Sequence, residues 1–199
     1  MPENILNDDR TNIVSFDPSM TATGFLIYKP HRIFRYGCIR KKDLLEGREF
    51  QYVMDEYSAY QIEFANELVK LLRWLDPEHT HVIMEQPTGS QSSKAAWGMA
   101  MASSTVISSS IAVLRKNPII YKERDAKMYM FNSASVGKQE TLKTMWSYWR
   151  AQGIPNPENT WSTLTTAQRR DSMEHVADAM LILNLHLKKI YDGLDIQNP

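Results

Sequence analysis

The sequence predicts one α/β domain, a mixed sheet with helices packed on it, and three observations carry that expectation. Three short β-rich runs come before any helical pattern. Further β-rich runs then alternate with stretches long enough to be helical crossovers. The 199 residues, 43% hydrophobic and 23% charged, suit a single soluble domain with a substantial core.

NIVSFDP, residues 12–18, is the first strand, and its Asp17-Pro18 end reads as a turn. GFLIYK and RIFRYGCIR follow as two more strands, with Lys29, Pro30 and His31 as the hairpin turn between them. From Glu49 to Leu75, Phe50, Val53, Met54, Tyr57, Tyr60, Ile62, Phe64, Leu68, Leu71 and Leu72 recur at helical spacing, and Asp76-Pro77 stops that helix. HVIMEQP, residues 81–87, is a buried-type strand ending in a Gly-Ser-Gln-Ser-Ser turn, and Ser93 to Arg115 reads as a mainly buried helix. PIIYKE is a fifth strand. Helices are expected around Asp125–Phe131 and Lys138–Gln152 and, after a Pro/Asn/Thr loop, from Ser172 to Tyr191.

This order, an antiparallel meander followed by strands joined through helices, matches a ribonuclease H-like arrangement with a mixed five-stranded sheet flanked by helices. Residues 12–191 form the expected domain, with residues 1–11 and 192–199 as flexible tails. The single cysteine, Cys38, excludes an internal disulfide and a multi-thiolate zinc site. No secretion signal is read at the N-terminus. The uncharged run Ala95–Leu114 is nominally long enough to span a bilayer, but its many hydroxyls favour a helix of a soluble domain.

Net charge is zero, so the overall balance does not advertise a polyanion binder. The distribution is uneven: residues 43–85 hold ten acidic and three basic residues, residues 115–150 three acidic and eight basic. A basic face on a neutral protein is what a nucleic acid would meet, although solvated helix faces of opposite sign give the same count.

Asp17, Glu85 and Asp178 each sit at the end of, or within, an apolar element. Carboxylates in such places are costly unless paired or metal-bound, so three of them suggest an oxygen-rich site for Mg²⁺ or Mn²⁺. Two such ions about 4 Å apart suit hydrolysis of a phosphodiester. His175 precedes Asp178 by three residues and shares its helical face, which makes it a candidate ligand or base. Asp171 and Glu174 read as a capping box opening the last helix, rather than as ligands.

FDPSMTATGF, IMEQP followed by SSKAAWGMAMA, the ERDAK stretch, the VGKQET stretch and EHVADAM come in the order seen in RuvC-type Holliday junction resolvases. The resemblance runs from Asn12 to about Leu187. It implies a homodimer that nicks four-way DNA junctions in pairs with Mg²⁺, in a bacterial or phage-infected bacterial cytoplasm without membrane attachment. Asp17 resembles the family's first-strand metal aspartate, Glu85 the glutamate of its "EQ" signature, and Asp178 the last acid of its C-terminal helix. His175 stands where relatives carry Asp or His. Lys127 and Lys138 fall where the family places cations near DNA, and Arg124 and Lys143 lie in the same basic segment. Where bacterial members carry a base-stacking aromatic just beyond the glutamate, this chain has Pro87, Thr88 and Gly89. Trp97 and Tyr129 are the substitutes weighed, although a core position is the expectation for both.

Three rival readings remain at this point: another ribonuclease H-like nuclease acting on different branched DNA or an RNA·DNA hybrid, an actin- or sugar-kinase-like ATPase, and a catalytically silent DNA-binding scaffold. Eight singly scattered glycines supply no phosphate loop for the ATPase.

Overall fold

The computed structural model describes residues 11–30, 32–87, 92–154 and 163–193. The outer parts of both expected tails, His31 of the hairpin, the start of the turn after Pro87 and the Pro/Asn/Thr loop lie outside the described residues.

Five strands, β1 (Asn12–Pro18), β2 (Ala22–Lys29), β3 (Arg32–Arg40), β4 (Thr80–Glu85) and β5 (Ile119–Tyr121), form one sheet in the order β3-β2-β1-β4-β5. β1 is antiparallel to β2, and β2 to β3, whereas β4 and β5 run parallel to β1. The helices are α1 (Lys41–Leu44), α2 (Val53–Leu72), α3 (Ser93–Leu114), α4 (Glu123–Phe131), α5 (Lys138–Ala151) and α6 (Thr166–Tyr191). The expected five-stranded mixed sheet is therefore present.

Alternation along the strands divides the core in two. Ile13, Leu26 and Ile83 face α6 together with Met145, Trp146 and Trp149 of α5. Val14, Phe16, Val82 and Met84 face the opposite way, against Phe64, Leu68 and Leu72 of α2 and Val106 of α3. Each large side chain so buried contributes about 1.5–3 kcal/mol. β1, central and buried along its whole length, carries Asp17 to the edge of this packing.

Two close approaches fix where β1 ends. A Cβ on Gly24, the cross-strand partner of Asp17, would stand 2.2 Å from the His175 carbonyl oxygen, so only glycine lets α6 come this near. Ser15 Oγ donates to the Ala179 carbonyl at 2.8 Å and ties the same helix to β1. On the other face a Cβ on Gly98 would meet Met20 Cγ at 2.3 Å. The residue thus leaves a notch on α3 for the turn that follows Asp17.

Four sequence expectations need correction. The last helix starts at Thr166, and its capping box is Thr165 with Gln168, both reciprocal bonds being present. Asp171 and Glu174 therefore lie inside the helix. α3 is buried along one face only: Gly98, Ala102, Ser103, Val106 and Ser110 face inward, while Ser104, Ser108 and Ile111 are exposed. Several of its hydroxyls turn back onto the helix, with Thr105 donating to the Met101 carbonyl and Ser110 to that of Val106. By length and composition this is also the one helix among the described residues apolar enough to cross a membrane. Trp97 and Tyr129 are not core residues; they are 46% and 43% exposed. Finally, the four-residue α1 was not anticipated, and α2 begins four residues later than its apolar pattern suggested.

Candidate active site

Parallel β1 and β4 bring Asp17 and Glu85 out at the same end of the sheet. Their side chains fall on the α6 face, continuing the alternation of Ile13 and Ser15 on one strand and Ile83 on the other. α6 crosses that face and supplies His175 and Asp178. The structure therefore brings together the four residues singled out in the sequence.

His175 Nδ1 lies 2.6 Å from Asp17 Oδ2. An ionised carboxylate only accepts, so the ring proton belongs on Nδ1, and Nε2 is left for a further partner. Asp171, one turn earlier, has a carboxylate oxygen 3.8 Å from Nε2. Burial pulls the His175 pKa down, but the Asp17 hydrogen bond and charge, joined by Asp171 and Asp178, outweigh it and hold the pKa above its ordinary value.

The acids repel one another. Burial first, then the charges of Asp17 and Asp178, drives the Glu85 carboxyl well above the usual carboxylate range. Asp178 is raised by burial and by Asp17 and Glu123, against the opposing pull of His175 and Lys138. Glu85 Oε2 is buried without a hydrogen-bond partner, which a well-packed carboxylate should not be. That orphaned oxygen and the mutual repulsion fit a hard cation bound among the carboxylates. The donor set, three carboxylates and an imidazole nitrogen, suits Mg²⁺ or Mn²⁺. Among the described residues no three His, Cys, Asp or Glu side chains are already arranged as a metal cage.

The expected cations divide. Lys138, exposed at the start of α5, is close enough for its charge to act on Asp178. Arg124 is exposed and lines a cavity of about 360 Å³ beside Gln86 and Pro87. Lys143 is exposed farther along α5. Lys127 does not project freely; it is 9% exposed and bonded to Glu123 at 2.6 Å. Glu174 pairs with Arg170 at 3.2 Å and, lying inside the helix, is not its cap. Thr88 and Gly89 lie outside the described residues.

Sequence reasoning missed Glu123, whose charge reaches Glu85 and Asp178. Its signal was an i,i+4 spacing to Lys127 just after a strand. Its place beside the site follows from β5 pairing, Glu85 with Tyr121, and from the Gln86 amide donating to the Tyr121 carbonyl at 2.7 Å.

No protein-family model and no curated protein sequence matches the chain. Solved structures do. A Thermus thermophilus RuvC structure superposes with a TM-score of 0.62 at 14% identity, over 92% of this chain and 97% of that one. T. thermophilus RuvC in complex with Holliday junction substrate gives 0.63 at 13% identity, over 92% and 96%. The fold is that of RuvC. The yeast mitochondrial Holliday junction resolvase Ydc2 aligns as well, with a TM-score of 0.57 at 12% identity, over 96% of this chain and 89% of that one. The RuvC-type, ribonuclease H-like architecture read from the element order is thereby established, and at these identities the likeness speaks for the fold alone.

Proposed function

We propose that the chain is a metal-dependent endonuclease that resolves four-way DNA junctions by paired phosphodiester hydrolysis, acting in recombination and repair. The observation that carries the reading is the convergence of Asp17, Glu85, Asp178 and His175 at one end of the sheet, with a buried Glu85 oxygen left unpaired. The RuvC neighbour captured with a Holliday junction substrate supports the choice of branched DNA.

In this reading Asp17, Glu85 and Asp178 hold one or two Mg²⁺ ions, with Mn²⁺ as a substitute, and His175 Nε2 is a further donor or the acceptor of a proton from water. The bound ions supply an activated water and stabilise the charge on the leaving oxygen. Asp17 fixes the imidazole through Nδ1, so that Nε2 stays directed away from that bond. Lys138, whose charge reaches Asp178, and Arg124, in the cavity beside Gln86, neutralise the backbone of the bound strand. Lys143 would extend that contact along α5.

A four-way junction has two-fold symmetry, so two matched cuts call for a two-fold dimer. Trp97, Met101, Ser104, Ser108 and Ile111 recur at four- and three-residue steps on the open face of α3, the repeat of a helix that packs against another. This face, used between copies rather than against lipid, is our candidate interface.

The deciding experiment incubates the protein with end-labelled four-way junctions, flaps, RNA·DNA hybrids and linear duplex, with and without Mg²⁺. Paired nicks confined to the junction are expected. Preference for the hybrid or the flap would make it a different ribonuclease H-like nuclease, and no cutting of any substrate would leave a binding scaffold.

A further inference from the structure

A lysine is rarely buried unless paired, and Lys127 is buried against Glu123. The pair spans the first turn of α4, directly after the strand whose Tyr121 is the register partner of Glu85. It therefore sits at the rim of the carboxylate group rather than on a remote helix face. Lys127 is a cation whose charge acts on Glu85, and Glu123, like Asp17, is an acid whose charge acts on both Glu85 and Asp178.

We propose that Glu123 is a latch on Lys127, and that a divalent cation arriving at Glu85 and Asp178 opens it. The inference rests on reading those carboxylates as the metal site. Without metal, the Lys127 ammonium supplies counter-charge to a crowded set of acids, and Glu123 holds it in place. A dipositive ion takes over that role and sets like charge next to the ammonium, which weakens the hold of the site on Lys127. The released side chain has somewhere to go. The neighbouring cavity of about 360 Å³ is lined by Lys122, Arg124 and Lys127, and Glu123 is the acid among its lining residues. With Lys127 turned into it, that cavity is a phosphate-binding surface. Metal binding and strand binding are then coupled through one side chain, and by reciprocity DNA tightens the metal as much as metal tightens DNA. Glu123 is in this account a positioning residue, acting through Lys127.

Two measurements test the latch. The first follows the side-chain ammonium resonance of Lys127, identified by its loss in Lys127→Met, while Ca²⁺ is added to the wild-type protein without DNA. It should shift as the carboxylates fill. A stationary resonance while the Asp17 and Asp178 amides respond overturns the proposal; if no site signal moves, the metal reading falls and takes the latch with it. The second compares junction affinity with and without saturating Ca²⁺, checking that no nicks form. Glu123→Gln should bind more tightly than wild type without metal, and its gain from Ca²⁺ should be at least about 5-fold smaller than that of wild type. Adding Lys127→Met should erase both differences. Equal gains in wild type and Glu123→Gln would also overturn it. Wild-type protein that neither binds nor nicks junctions would defeat the resolvase reading alone, because the resonance experiment needs no DNA.

Discussion

Two histidines stand in α6, both shielded from solvent, and the fold drives them in opposite directions. His175 has Asp17 on Nδ1 and further acids around it, so its pKa is held above the ordinary value in spite of burial. His186, about three turns later, is fully buried with Tyr121 Oη 2.8 Å from Nδ1 and His81 Nδ1 3.2 Å from Nε2. There burial dominates, His81 and Lys189 add to it, and the pKa is pushed down to about 3. The second arrangement is a neutral hydrogen-bonded chain, Tyr121–His186–His81, that pins α6 to β4 and β5. Burial does not make a histidine chemical; the partner does.

The largest expected effects fall on the His175 end. Asp17→Asn or Glu85→Gln removes a charge meant for metal, and several kcal/mol of transition-state stabilisation goes with it. Junction nicking should drop on the order of 10³-fold while junction binding persists. His175→Ala should lose on the order of 10²-fold, and His175→Asp should recover much of it, because a carboxylate can also ligate or accept a proton. His186→Gln is the control, with nicking close to wild type per folded molecule. If His186→Gln and His175→Ala were equally damaging in folded protein, the contrast between the two ends would collapse.

Gly24→Ala attacks the same end without touching a charged group. The added Cβ cannot coexist with the His175 carbonyl 2.2 Å away, so α6 must retreat from β2 and carry its imidazole off Asp17. Overpacking of this kind costs about 1–3 kcal/mol, read by urea unfolding. The folded fraction should nick more slowly than wild type, and an alanine variant equal to wild type in both respects would show that the close approach is unnecessary.

The His186 end makes its own prediction, in pH. Its folded pKa lies below the unfolded value of about 6.5, so the unfolded chain takes up the proton first as pH falls. The stability it contributes is complete above about pH 6.5 and declines from there down towards pH 3, by up to about 1.4 kcal/mol per unit. Asp178, raised to about 8, has the opposite sign in metal-free protein: its folded form gains protons, and stability, as pH falls from there. The raw profile therefore mixes the two ends of the helix. Subtracting the profile of His186→Gln isolates one of them, and the difference between the proteins should change by about 2 kcal/mol between pH 7.5 and 5. A constant difference would mean that His186 titrates with the same pKa in the folded and unfolded states.

Much of this was legible in the sequence, and unevenly so. Strands alternate with period two and α2 repeats with the helical period, so the element order and the fold follow from pattern. Asp17, Glu85 and Asp178 stood out because acids in apolar runs demand compensation. The start of α6 did not, because Thr166–Asp171 is polar, carries no apolar period, and precedes a second, decoy capping pattern. His186 was illegible as well: it sits in an apolar run much as His175 does, and what separates them is which strand end each faces. Lys127 looked like a surface cation because one sequence cannot show that β5 registers with β4 and turns the ERDAK helix back onto Glu85.

The smallest effect separates the lysines at the two ends. Lys138 is exposed and its charge reaches Asp178, whereas Lys189 lies 5.1 Å over the Tyr121 ring beside His186. If the His175 end is where the strand lies, Lys138→Gln removes one phosphate contact and one released counterion. Junction binding should weaken uniformly across sequences, and the slope of log affinity against log salt should flatten by about one. Lys189→Gln carries the same change in net charge, so any effect of overall charge is common to both variants. Its slope should stay at the wild-type value, because its ammonium is committed to the aromatic face and stands at the far end of the helix. Measuring both over the same salt range therefore assigns the DNA to one end of α6, and equal slopes for the two variants would remove that assignment.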